Sequence, residues 1–345
     1  MNIVILAGGL SPERDVSLTS GSLIANALLR RGHRVLLTDV YLGLDASGDP
    51  LSLFRSEGEY NYAVTTDVPD LKALKEQNGG SDRLIGDGVL EVCLVADVVF
   101  VAMHGGMGED GRLQAFLECN GIRYTGTGSL GAALSMDKEL SKIVLRHAGI
   151  PTPDWVIVRP NSETDAKERI LAEIGIPCVI KPCSCGSSVG VSIVETEAEL
   201  DAALALGGAW EDRLIVEKKI VGRELTVGML GGHPLPPMEI IPKEGFYDYK
   251  NKYQSGLTLE LCPAPLTEQQ TQAVQDMTAR GFDALHLESY ARLDFIMDEH
   301  DVMWCLEANA LPGMTPTSLL PQMADEIGLG YDALCEEIIR LSFEK

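Results

Sequence analysis

Apolar residues run unbroken over 2–7 and stop at Gly8-Gly9, which predicts a buried strand ending in a turn. Apolar positions at helical spacing follow from about 16 to 31, and 34–40 reads as a second strand. A strand, glycine turn, helix and strand in that order predict a parallel α/β unit. Residues 97–103 form a dense, valine-rich run, predicted as another buried parallel strand and ended by His104-Gly105-Gly106. A helix over 113–119 and a short strand around 122–124 come next. Residues 43–94 are mixed and rich in Gly, Asp and Ser, and predict little regular structure.

Gly126 and Gly128 mark a break. Helices near 129–134 and 138–148 lead into Gly149-Ile150-Pro151-Thr152-Pro153, a stiff linker. The pattern then predicts a strand (154–158), a helix (163–174), a strand (178–182), a Gly/Ser loop (184–190), a strand (191–194), a helix (197–205) and a strand (213–218). From Glu224 onward strands dominate, interrupted by a polar, tyrosine-rich loop at 243–258 and a helix at 267–284. Strands at 289–297 and 302–308 are joined by Asp298-Glu299-His300-Asp301 as a hairpin. A loop over 309–321 precedes a final helix, 324–343.

Composition narrows the class. A chain of 345 residues with 45% apolar content fits two or three packed domains. No apolar run approaches the ~18 residues of a membrane span, and the N-terminus reads as a strand beginning at once, not as a leader. The formal net charge is −23, which argues against a nucleic-acid partner and leaves any anionic substrate to a few local cations. Eight cysteines at irregular positions lack paired zinc spacing; Cys183 and Cys185 are close together, and most of the others, such as Cys93, Cys178 and Cys305, read as reduced core residues of a cytoplasmic protein.

The hairpin carries the most chemistry. Glu307 and Asn309 lie two apart on one strand, so they share a face, and Arg292 and Asp294 do the same on its neighbour. Two carboxylates and an amide oxygen suit Mg²⁺ better than zinc. The plain alternative is a polar surface face, weakened because Leu293, Phe295, Leu306 and Ala308 alternate with the polar set. Lys181 precedes a Gly/Ser loop that is either a phosphate cradle or an ordinary turn; it lacks the order of a Walker A loop. Glu217-Lys218, with Glu224 beyond, is either an adenosine contact or a solvated strand end. Lys138, on its own, reads as a surface lysine. Glu13 either binds a substrate ammonium or favours the start of its helix through the dipole. The Pro312-Gly313 turn and the hydroxyls after it either offer N–H groups to an oxyanion or form a plain turn.

Their order along the chain decides among these. A lysine before a Gly/Ser loop, then Glu-Lys, Arg-x-Asp and Glu-x-Asn, resembles the ATP-grasp superfamily. More finely, the chain resembles the D-alanine–D-alanine ligase family. That match rests on Ser11-Pro12-Glu13-Arg14-Asp15-Val16-Ser17-Leu18, His104-Gly105-Gly106-Met107-Gly108-Glu109-Asp110-Gly111, Ser135-Met136-Asp137-Lys138, Gly186-Ser187-Ser188-Val189-Gly190, Tyr247-Asp248-Tyr249-Lys250-Asn251-Lys252-Tyr253 and Leu306-Glu307-Ala308-Asn309 through Thr315. These motifs span nearly the whole chain in order.

The resemblance implies an α/β, three-domain ATP-grasp fold with an N-terminal Rossmann-like domain, divided at 1–126, 127–217 and 218–345, with 243–258 as a closing loop. It implies ATP-dependent joining of two D-alanines through a D-alanyl phosphate, for peptidoglycan precursor synthesis. Lys138 and Lys181 would hold ATP phosphates, and Glu217, Lys218, Ile220 and Glu224 would line the adenosine pocket. Asp294, Glu307 and Asn309 would hold two Mg²⁺ ions, with Mn²⁺ as a substitute. Glu13 would fix the first ammonium, linked to Ser187 and Tyr253, with His104 nearby. Lys252 would reach the transferred phosphate. Arg292 and the Gly313 N–H would face the oxyanion, and Ser318 and Leu319 the second carboxylate. A homodimer is implied as well. Two further readings stand beside this one: a ligase taking D-lactate or D-serine second, with Tyr253 arguing against lactate, and a non-catalytic nucleotide binder, against which the full ligand set with Arg292 speaks.

Overall fold

The computed structural model describes residues 1–62, 69–186, 188–243 and 258–345. Strand β1 (Asn2–Ala7) pairs in parallel with β2 (Arg34–Asp39), and helix α1 (Arg14–Arg30) makes the crossover. Ile3 to Ala7 are fully buried, as an unbroken apolar run in a parallel sheet requires. Helix α1 starts at Arg14, earlier than the apolar spacing indicates, because its first turn is polar: Arg14 N–H donates to Ser11 O and Ser17 N–H to Glu13 O.

The stretch 43–94 holds more order than its composition indicates. It contains α2 (Leu71–Gln77), capped by the Asp70 carboxylate, and α3 (Val89–Leu94), which buries Val89, Val92 and Cys93. Both are too short for a periodic signal to stand out. Strand β3 (Val98–Val101) completes the sheet order β2-β1-β3, and α4 (Arg112–Cys119) follows. The strand expected at 122–124 is a single parallel bridge between Val99 and Tyr124.

Helices α5 (Ser129–Met136) and α6 (Lys138–His147) lead to an antiparallel sheet of β4 (Trp155–Val158), β5 (Cys178–Pro182), β6 (Ser192–Val194) and β7 (Leu214–Lys218) in the order β4-β7-β5-β6. Helices α7 (Ala166–Glu173) and α8 (Leu200–Gly208) pack on it around Ile170, Leu200 and Leu204.

A third sheet contains β8 (Arg223–Leu230), β9 (His233–Pro234), β10 (Met238–Pro242), β11 (Thr258–Leu261), β12 (Tyr290–Met297) and β13 (Met303–Asn309). Its order is β11-β10-β8-β12-β13, with β9 on β8. Helix α9 (Glu268–Ala284) covers one face and opens with a Thr267–Gln270 capping box. The expected hairpin turn is present: Asp298 Oδ1 accepts from His300 and Val302 N–H, and Oδ2 from the Trp304 indole.

The single terminal helix expected over 324–343 is two, α10 (Leu319–Glu326) and α11 (Tyr331–Ser342). Gly328 breaks it, at φ +80°, a left-handed conformation that glycine adopts without strain. The break turns α11 back onto α1, where Leu334, Ile338 and Leu341 join the core of the first sheet. Ion pairs Arg30–Asp332 and Arg31–Glu336 line the same seam. Exposed pairs contribute at most about 1 kcal/mol each, so the apolar contact does most of the holding. Among the described residues, no helix is long and apolar enough to cross a membrane.

Candidate active site

The antiparallel register of β12 and β13 sets Arg292 opposite Asn309 and Asp294 opposite Glu307. Directly opposed residues project from the same face, so all four side chains form one wall. Just past Asp294 the register shifts, and Phe295 pairs with Cys305. This bulge corrects the simple alternation: Cys305 enters the core beside Leu293, Phe295 and Ala308, while Leu306 stays only half-buried.

Arg292 grips Asp294 with a two-pronged fork, Nε to Oδ1 and Nη2 to Oδ2, each 2.9 Å. Thr226, opposite on β8, donates its hydroxyl to Asp294 Oδ1 at 2.7 Å, and Asn309 Nδ2 donates to Oδ2 at 3.0 Å. The donor set fits Mg²⁺: two carboxylates and an amide oxygen are hard oxygens of the kind that ion takes. Among the described residues, no cluster of three or more His, Cys, Asp or Glu could by itself hold a metal.

Lys181, on β5, faces this wall. Its ammonium lies 2.8 Å from Glu217 Oε2. Burial alone would lower its pKa, but the charges of Glu217, Glu307 and Glu224 outweigh this and raise it, so the lysine stays firmly cationic. Those three carboxylates come from β7, β13 and β8. Glu217 is buried, held also by Lys142 at 3.1 Å, so for this residue the solvated strand end is excluded; Lys218, on the opposite face of β7, is exposed and Ile220 half-buried.

Lys138 is not a surface lysine. It is 8% exposed, and its ammonium donates to Cys185 O at 2.7 Å, inside the Gly/Ser loop. Asp137 caps α6 by accepting from Leu140 N–H and is clamped by Arg213, which also bonds Glu139. The start of α6 is thus held rigidly against the loop.

At the first sheet, Glu13 is buried at the start of α1 and Ser11 donates its hydroxyl to His104 O at 3.0 Å. His104 is buried, with Ser20 Oγ 3.4 Å from Nε2 and Glu109 Oε1 3.8 Å from Nδ1. A methyl group built on Gly186 would meet Glu13 Oε2 at 3.6 Å and Glu109 Oε2 at 3.7 Å, so the Gly/Ser loop abuts both acids. Gly105 is tighter still. Its φ of +69° and ψ of 167° belong to glycine almost exclusively, and a Cβ there would stand 2.5 Å from Glu13 Oε2 and Ser11 Oγ. Gly105→Ala is expected to displace Glu13 and lower kcat/KM for the amino-acid substrate that the sequence assigns to this acid by ~10-fold or more. Steady-state kinetics alongside thermal melts check this; an unchanged value in a folded variant would place Glu13 away from the substrate.

In the 311–319 loop, Thr315 N–H donates to Ser318 Oγ at 3.0 Å, and a Cβ on Gly313 would lie 3.0 Å from that oxygen. Ser318 sits at the N-cap of α10, where exposed N–H groups favour a carboxylate. The Leu319 side chain is buried in the core, so only its backbone faces this turn. Gln322 donates to Thr317 O and Glu260 Oε2 and steadies the loop. Ser187, Lys252 and Tyr253, and residues 244–257 of the expected closing loop, lie outside the described residues.

Glu109, Thr226 and Lys142 were missed as site neighbours in the sequence. For Lys142 a signal existed: it follows Lys138 by one helical turn, on the face that also carries Ser141 and Leu145. Thr226 has no local signal, since only sheet pairing brings it to Asp294.

A lysine-bearing antiparallel sheet facing a carboxylate–amide wall on a second one, with an α/β unit alongside, defines an ATP-grasp ligase. Family models for the D-ala D-ala ligase N-terminus and C-terminus match residues 2–127 and 144–340. The curated D-alanine–D-alanine ligase of Pediococcus pentosaceus is 39% identical over 98% of this chain and 97% of its own length. That of Lacticaseibacillus casei is 38% identical over 98% and 95%. The crystal structure of the Bacillus anthracis D-alanine–D-alanine ligase complexed with ATP superposes with a TM-score of 0.76 at 30% identity, covering 100% of this chain and 97% of that one. The VanG D-Ala:D-Ser ligase of Enterococcus faecalis gives 0.75 at 27% identity, covering 99% of both. The chain belongs to the D-alanine–D-alanine ligase family.

Proposed function

We propose that this ligase joins two D-alanine molecules into D-alanyl-D-alanine, for peptidoglycan precursor synthesis, by way of a D-alanyl phosphate. A carboxylate is a poor electrophile. Transfer of the γ-phosphoryl group of ATP to one carboxylate oxygen, releasing ADP, converts it to a mixed anhydride. The amine of the second D-alanine then attacks the acyl carbon, loses a proton as the amide forms, and phosphate departs. The protein contributes positioning and charge stabilisation more than covalent chemistry.

The observation that carries this reading is the shared face of Arg292, Asp294, Glu307 and Asn309 set against a cationic Lys181. Asp294, Glu307 and Asn309 would hold two Mg²⁺ or Mn²⁺ ions. The ions, when bound, would neutralise phosphate charge as it develops. Lys138 and Lys181 would grip the ATP phosphates, and Glu217, Lys218, Ile220 and Glu224 would border adenosine. Glu13, with His104 near it, would hold the first ammonium. Arg292 and the Gly313 N–H would stabilise the tetrahedral oxyanion, and Ser318 and the Leu319 backbone would receive the second carboxylate. Ser187, Tyr253 and Lys252, outside the described residues, complete the proposed set, and the loop expected at 243–258 would exclude water from the acyl phosphate. The proposed units are 1–126, 127–217 and 218–345, close to the three sheets, with β7 running on to Lys218. Eight free cysteines support a reducing cytoplasm, where the enzyme would work as a homodimer.

A phosphate-release assay tests the reading with D-alanine alone, D-alanine plus D-serine, D-alanine plus D-lactate, and L-alanine. D-alanine alone is expected to sustain turnover, and L-alanine is not. Silence with D-alanine alone would overturn the proposal, and turnover only in the mixed D-serine reaction would favour the second-substrate alternative.

A further inference from the structure

Lys142 has no part in the roles above, yet its side chain is 0% exposed. Its ammonium meets one carboxylate, Glu217, at 3.1 Å from Oε1, and lies 5.3 Å from the centroid of the Trp155 ring. Neither Lys142 Nζ nor Glu217 Oε1 makes a well-directed hydrogen bond. The same carboxylate holds Lys181 through its other oxygen at 2.8 Å.

A bare buried ion pair is a poor structural fastener, because its desolvation penalty rivals its attraction and an apolar pair of similar volume would pack as well. Charge balance supplies a better reason. At contact distance two ammonium groups share one carboxylate, so Lys142 offsets part of the Glu217 charge that would otherwise fall on Lys181 alone. Without Lys142, Glu217 and Lys181 would form a self-neutralised pair. We infer that Lys142 is a positioning residue for ATP: it offsets Glu217 from the buried side, so that Lys181 keeps its charge for the nucleotide phosphates. The inference rests on the phosphate-binding role proposed for Lys181.

The protonation balance agrees with this geometry. Burial lowers the pKa of Lys142, with Glu217 opposing it only in part. For Glu217, burial acts upward, but Lys142 and Lys181 outweigh it and hold the carboxyl down to about 2. Burial acts on all three groups; the carboxylates around Lys181 outweigh it there, while at Lys142 Glu217 opposes it only in part.

The test uses the full-length enzyme and compares Lys142→Met, Lys181→Met, Glu217→Gln and the double variant Lys142→Met/Glu217→Gln. Calorimetric titration with ATP, ADP and adenosine is paired with KM for ATP and for D-alanine. Lys142→Met is expected to weaken ATP and ADP binding by ~10-fold, the size of one charge-assisted contact, with adenosine binding and the D-alanine KM within about twofold of the parent. The double variant should regain the preference for ATP over adenosine that Lys142→Met loses, since the uncompensated carboxylate is gone and loss of Glu217 from the adenosine border affects both ligands alike; a merely structural lysine predicts no change in that preference. Lys142→Gln, smaller and polar, serves if the Met variant does not fold, and Lys142→Arg should retain ATP affinity. Weakened ATP binding in Lys181→Met with none in Lys142→Met would overturn the inference alone. So would equal weakening of adenosine and ATP, or a double variant whose preference for ATP over adenosine is no better than that of the single. Unchanged ATP affinity in Lys181→Met would instead remove the underlying role of Lys181, and the inference with it.

Discussion

Glu307→Gln is expected to cut D-alanine-dependent phosphate release by ~10³-fold or more, with the fold intact, because the carboxylate proposed to hold metal becomes a neutral amide where phosphate charge would be neutralised. Glu307 sits opposite Asp294 in the hairpin register and is only half-buried, so an isosteric amide should not disturb packing. Its charge also acts on Lys181, so the loss reaches both walls of the site. The measurement is coupled phosphate release over a range of Mg²⁺ concentrations, with a melting curve as control. Part of the loss should be recovered at high Mg²⁺ if the defect is in ion binding. Turnover near that of the parent would sink the metal assignment.

Arg292→Met should be nearly as damaging, lowering kcat by ~10²–10³-fold, the range for removing one donor from an oxyanion site. Two effects combine here. The guanidinium is lost from the place where the tetrahedral oxygen would develop, and Asp294 loses its two-pronged partner. Asp294 keeps hydrogen bonds from Thr226 and Asn309, so its carboxylate stays oriented and ATP binding should suffer less than kcat. A parallel fall in ATP affinity and kcat would move Arg292 from the transition state to the ground-state nucleotide. Unchanged kcat would remove it from the chemistry.

Much of this was legible in the chain. The unbroken apolar runs at 2–7 and 97–103 identify buried parallel strands because a strand covered on both faces needs no polar side. The period-two spacing of Arg292 with Asp294, and of Glu307 with Asn309, placed both pairs on single faces, and the short Asp298–Asp301 turn left antiparallel pairing as the simple connection. Ordered motifs along the chain did the rest, since local spacing alone left each of them open.

What failed to show has physical causes. Helices α2 and α3 are too short to display periodicity, and the α10–α11 break depends on one glycine whose left-handed backbone the apolar pattern does not register. The bulge beside Asp294 exchanges Leu306 for Cys305 in the core, a choice made by pairing with β12. Lys138 looked like a surface residue because burial of a lysine depends on what folds against it; here that is the carbonyl of Cys185, 47 residues away.

The sequence by itself determined the class of the protein, the strand–helix–strand unit at its start, and the shared face of Arg292, Asp294, Glu307 and Asn309. Periodicity and motif order are one-dimensional properties, and these features follow from them. Only the tertiary structure decided that Glu217 is shared between Lys142 and Lys181, that Glu13 and Glu109 meet at Gly186, and that Thr226 braces Asp294. Those contacts join residues distant in the chain, and their energies depend on desolvation and distance, which no spacing along a sequence encodes.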